Sequence, residues 1–73
     1  MRELSRDEIL NLKMFDEIII RLGCGISLNA WLIDIELEAN NDITLNCKDK
    51  HGDIIAEFPT ARIYQKSTIT NNQ

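Results

Sequence analysis

The chain is poor in the residues that punctuate or staple small folds: among 73 residues it has one proline, three glycines, two cysteines and one histidine. Cys24 and Cys47 stand alone, with no Cys-x-x-Cys spacing, so neither a disulfide framework nor a clustered zinc site is expected. In an intracellular setting such thiols stay reduced and pack as small hydrophobes. The lone histidine, His51, leaves little material for a nucleophile and its base. No apolar run approaches the ~18 residues of a membrane span. The opening Met1-Arg2-Glu3-Leu4-Ser5 lacks the apolar stretch of a secretory leader. Glycine-rich phosphate loops and nucleophile elbows are missing as well. These absences predict a cytoplasmic, non-enzymatic protein that needs no metal or cofactor.

Positive charge is also in short supply, with 8 Lys and Arg against 12 Asp and Glu, a net charge of −4. The surplus of acid lies in residues 1–38; the remainder is balanced. A chain of this balance makes a poor ligand for nucleic acid or for an anionic membrane, both of which need a basic face. What is present is ordinary globular material, 44% hydrophobic and too apolar for disorder. At this length one core is marginal, and contact with another subunit commonly adds stability.

Along the chain, the first firm signal is Ser5-Arg6-Asp7-Glu8, which has the form of a capping box. Leu4 and Ile9 stand at the positions of a hydrophobic staple. The apolar residues that follow (Ile9, Leu12, Phe15, Ile19, Leu22) recur at helical spacing and predict a helix over 6–22, closed by Gly23. Ile18-Ile19-Ile20 is β-branched and equally compatible with extended chain. On the helical reading, Leu10, Met14 and Ile18 form a second apolar row at i, i+4, i+8, which one small sheet would leave uncovered. That row is the predicted self-association surface of a homo-oligomer, with a dimer favoured.

After the connector Gly23-Cys24-Gly25, the pattern changes to period two. Trp31, Ile33, Ile35 and Leu37 alternate with Leu32, Asp34, Glu36 and Glu38, so the first set is expected inside and the acids outside. Asn40-Asn41-Asp42 marks a turn. Keeping apolar residues on one face requires an odd loop, expected to be three residues, with Leu37 opposite Leu45, Ile35 opposite Cys47 and Asp34 opposite Lys48. The next turn, Asp49-Lys50-His51-Gly52, must be even, pairing Cys47 with Ile54, Leu45 with Ala56 and Ile43 with Phe58. Pro59 ends that strand or places it at an edge. Residues 60–66 read as a fourth short strand.

The fold expected from these elements is α+β, one N-terminal amphipathic helix packed on a three- to four-stranded antiparallel meander. It is read as a single domain over 1–66 with a polar, disordered tail over 67–73. Asp34, Glu36 and Glu38 form an acidic row suited to a basic protein surface. The function expected is that of a small acidic interaction module: an inhibitor, adaptor or regulator of a protein partner. Two alternatives are a nucleic-acid mimic, with Glu57 joining the acidic row, and an oligomer enclosing a small ligand between subunits.

Overall fold

In the computed structural model, which describes residues 2–65, the chain forms six antiparallel strands and one short helix. The strands are β1 (Arg2–Glu3), β2 (Glu17–Arg21), β3 (Ser27–Leu37), β4 (Ile43–Asp49), β5 (Gly52–Phe58) and β6 (Arg62–Gln65), and the helix is α1 (Arg6–Leu10). The tail expected over 67–73 lies outside the described residues.

The helix begins where the sequence places it. Ser5 is the N-cap; the Glu8 amide donates to Ser5 Oγ at 3.3 Å, and the Ser5 amide donates to Glu8 Oε1 at 2.9 Å. Leu4 and Ile9, the staple pair, are both buried. The helix then ends after five residues, at Leu10, instead of continuing to residue 22. Asn11 closes it, donating from its side-chain amide to the Asp7 carbonyl at 2.9 Å. The expected long amphipathic helix packed on the sheet is therefore absent, and the fold is mostly antiparallel sheet. The physical reason is the Ile18-Ile19-Ile20 run. Its side chains lose rotamer freedom in a helix and fit a pleated surface better. As β2, the run pairs with β3 on one side and β6 on the other. Ile18 and Ile20 then point inward, fully buried. The apolar row Leu10, Met14, Ile18 consequently does not exist as a helical face.

The strand order is β1-β6-β2-β3-β4-β5, so the consecutive strands β5 and β6 stand four strand spacings apart. On a flat sheet that separation would be about 19 Å. Only Pro59-Thr60-Ala61 joins them, and the four Cα steps from Phe58 to Arg62 reach about 14 Å when fully stretched. The link is not stretched, because the Ala61 amide donates back to the Glu57 carbonyl at 2.7 Å. The sheet must therefore curl into a partly open barrel. Curling also explains how one sheet without a long covering helix buries an aliphatic core: Ile9, Ile18, Ile20, Leu32, Ile43, Leu45 and Ile63 are all essentially inaccessible.

Two hairpins share one loop design. Between β2 and β3, Leu22 and Ile26 bracket Gly23-Cys24-Gly25, with Gly25 in the left-handed region at φ +94°. Between β3 and β4, Glu38 and Asp42 bracket Ala39-Asn40-Asn41, with Asn41 at φ +72°. A three-residue loop whose last residue is left-handed is a common hairpin closure, and glycine and asparagine are the residues that tolerate it. The β3–β4 loop has the expected odd length but sits one residue earlier, so Leu37 faces Ile43 and Ile35 faces Leu45. The β4–β5 pairing follows the expected register, Cys47 with Ile54, Leu45 with Ala56 and Ile43 with Phe58. Pairing there continues to Asp49 and Gly52, leaving only Lys50-His51 as the loop. Strand β5 ends at Phe58, before Pro59, and is an edge strand.

Candidate interaction face

The register of β3 shifts between Leu32 and Asp34, where Ile33 is an extra, bulged residue. One inserted residue reverses the parity of everything on its far side. Ile35 remains inward-facing as expected, but Leu32 is now the buried residue and Trp31 turns outward, 44% exposed. Asp34 pairs with Asn46, and Lys48 with Trp31 instead of Asp34. An inward Trp31 was the reading of strict alternation, and the bulge overturns it.

A second bulge supplies the neighbour of Trp31. The Phe15 amide donates to the Leu32 carbonyl at 2.6 Å, and the Leu32 amide donates to the Asp16 carbonyl at 2.9 Å, so Phe15 and Asp16 together oppose Leu32. Phe15 occupies the first position of this bulge with φ +73°. Glycine is the usual occupant there; a bulky side chain is an outlier that costs about 1–2 kcal/mol. The Phe15 side chain recovers little by burial, since it is 67% exposed. Asp16 secures the turn by accepting from the Lys13 amide at 2.8 Å.

Phe15, Trp31 and Ile33 line one shallow groove together with Lys48. Ile33 also lines a second groove, with Asn46, Cys47, Asp53, Ile54 and Ile55. Seen across the outer face of β3, β4 and β5, the paired residues form three rungs: Trp31–Lys48–Asp53, Asp34–Asn46–Ile55 and Glu36–Thr44–Glu57. The exposed Phe15 and Trp31, the half-buried Ile33 and, across Lys48 and Asn46, Ile55 at 70% exposure thus share this face with Asp34, Glu36, Asp53 and Glu57. Glu36 accepts from Asn46 Nδ2 at 3.3 Å and Glu38 accepts from Thr44 Oγ1 at 2.7 Å, which orients two of the three acids picked out in the sequence. The ion pairs Arg2–Glu8 and Arg62–Glu3 lie away from this face.

Of the residues expected to drive self-association, Leu10 and Met14 are exposed, whereas Ile18 is fully buried in the core. Periodicity had no way to find the grouping of Phe15, Trp31 and Ile33, because it depends on two bulges. An exposed-tryptophan signal was nonetheless present: Trp31 and Leu32 are adjacent, and an alternating strand can bury only one of them.

The two thiols differ. Cys47 is buried, and burial pushes its thiol up to about 11. Cys24 lies at the exposed tip of the β2–β3 loop and so is not packed as expected. No group of three His, Cys, Asp or Glu side chains among the described residues is arranged to hold a metal ion. No helix among them is long and apolar enough to cross a membrane.

No family model, curated protein or solved structure matches the chain.

Proposed function

We propose that the protein is a non-enzymatic interaction module that binds a protein partner through the outer face of β3–β5. The observation that carries this reading is Phe15. A bulky aromatic held at positive φ with most of its surface in water spends folding energy without serving the core. Beside it, Trp31 and Ile33 extend the same surface. Exposed aromatics clustered in a groove are the residues that carry most binding energy in protein interfaces. The bordering Asp34, Glu36 and Glu38, with Asp53 and Glu57, favour a partner whose contact surface is basic around an apolar centre.

A nucleic-acid mimic is the weaker reading. Phosphate imitation calls for an uninterrupted acidic ridge, and here Lys48, Asn46 and Thr44 lie between the acids of β3 and those of β5.

The test replaces Phe15 with Asn, which tolerates left-handed backbone, and Trp31 with Thr, which suits a strand. Proteins captured from the native host by the unaltered chain are compared with those captured by the Phe15→Asn, Trp31→Thr variant, with far-ultraviolet circular dichroism confirming that both are folded. The captured protein is then purified and titrated against each. Affinity for the variant is expected to fall by about tenfold or more, the loss of a hot-spot contact. Equal affinity for both chains would remove this face from the function.

A further inference from the structure

Among the described residues, strand β5 has no strand on its outer side, because the sheet order ends there and β6 does not close the barrel onto it. A hairpin closed by a two-residue loop has its closing pair, here Asp49 and Gly52, hydrogen-bonded. Alternation then directs the backbone groups of Ile54, Ala56 and Phe58 toward β4, and those of Asp53, Ile55 and Glu57 away from it. The Glu57 carbonyl agrees with this assignment, since it accepts from Ala61, outside the β4–β5 ladder. The amides and carbonyls of Asp53 and Ile55, together with the Glu57 amide, thus form an open row on the edge. The side chains of these same three residues stand on the outer face, as acid, apolar, acid. Neither Asp53 nor Glu57 takes part in an ion pair among the described residues.

We infer that the partner contributes an extended segment that adds to β5 as a further strand, carrying basic residues at i and i+4 and an apolar residue at i+2. This deepens the reading above and rests on it. Backbone pairing along an open edge supplies affinity, and the alternating side chains supply selectivity. Residues four apart in a strand lie on one face, so two cations meet Asp53 and Glu57 while the residue between them covers Ile55. Opposite charges facing one another across a strand pair are stabilising, and like charges are destabilising. The same rule argues against a second copy of this chain as occupant. A two-fold β5–β5 pairing centred on Ile55 sets Asp53 against Glu57 twice. The opposite end of the sheet offers only the two-residue β1.

The experiment uses the full chain labelled with nitrogen-15 and two blocked synthetic peptides as probes: Thr-Lys-Thr-Val-Thr-Lys-Thr, and its counterpart with glutamate in place of lysine. Amide exchange and chemical shifts are followed by nuclear magnetic resonance at low ionic strength, with peptide in excess. Expected is a slowing of exchange at Asp53, Ile55 and Glu57 by about tenfold or more with the lysine peptide, and none with the glutamate peptide. The double variant Asp53→Lys, Glu57→Lys is expected to reverse that preference. Shifts confined to Phe15, Trp31 and Ile33 overturn the edge inference while leaving the interaction face standing. No response anywhere, or equal response to both peptides, also overturns it; the face itself is judged separately by the Phe15 and Trp31 variant. Protection of the edge amides without peptide, growing with protein concentration, would identify a second copy as the occupant and overturn it as well.

Discussion

The two sides of β3 make opposite uses of similar residues. Inward, Ala30 and Leu32 join Ile18, Leu45 and Cys47 in a core that, among the described residues, buries no polar side chain. Outward, Trp31 and Ile33 lie in a groove beside Lys48 and a row of carboxylates. Neighbours in sequence, Leu32 and Trp31 therefore have opposite energetic roles, and hydrophobicity alone would rank them the wrong way round. What separates them is geometry, set by one bulged residue.

The largest effect that sharpens this contrast is in the core. Leu32→Ala should lose about 2–5 kcal/mol of stability, as buried leucine truncations do. Trp31→Ala, although it removes a larger side chain, should cost under about 1 kcal/mol. Urea unfolding of both variants checks the pair, and a tryptophan variant less stable than the leucine variant would break the comparison. A smaller effect of opposite sign is expected at the strained position. Phe15→Gly should raise stability by roughly 0.5–1 kcal/mol, because relief of the left-handed penalty exceeds glycine's added unfolded-state entropy. The same change should weaken partner binding. Stability gained as function is lost would mark Phe15 as retained for contact.

Acid should act on the other end of the molecule. The Ser5 amide, and then the Arg2 guanidinium, hold the Glu8 carboxyl at about 2, below its ordinary 4.5. A carboxylate lowered on folding contributes stability that is present above pH 4.5 and lost as pH falls toward 2. Glu8→Gln should therefore lower the melting temperature at neutral pH, and its difference from the unaltered chain should shrink across that acid window. The smallest expected effect is chemical. Cys24, exposed on its loop, should react with a thiol reagent quickly in the folded protein, whereas Cys47 should wait for unfolding. Equal rates would contradict the burial of Cys47.

The parts of this fold that could be read in the sequence are those governed by local chemistry. Ser5 and Glu8 specify the helix start through hydrogen bonds only three residues apart. Parity alone settled the pairing of β4 with β5, because Ile43, Leu45 and Cys47 admit one apolar register against Ile54, Ala56 and Phe58. The length of α1 was not legible in the same way. Ile9, Leu12, Phe15 and Ile19 carry a helical period, yet Ile18 and Ile20 are worth more between two strands than along one helix. That preference is tertiary, since β6 lies more than forty residues farther along the chain. The acids of the interaction face were visible as an alternating row, whereas its apolar half depends on bulges at Phe15 and Ile33 that leave no mark in a strict period of two.

The pairing of β2 with the last strand, β6, has a consequence for synthesis. Strand β2 is made early but obtains its second neighbour only from β6, so a nascent chain leaving the ribosome holds Ile18 and Ile20 half covered until Ile63 has emerged. The intervening hairpins can assemble in the meantime, but the barrel has no inside before then. Any factor that shields apolar strands during translation would hold residues 17–21 until β6 arrives.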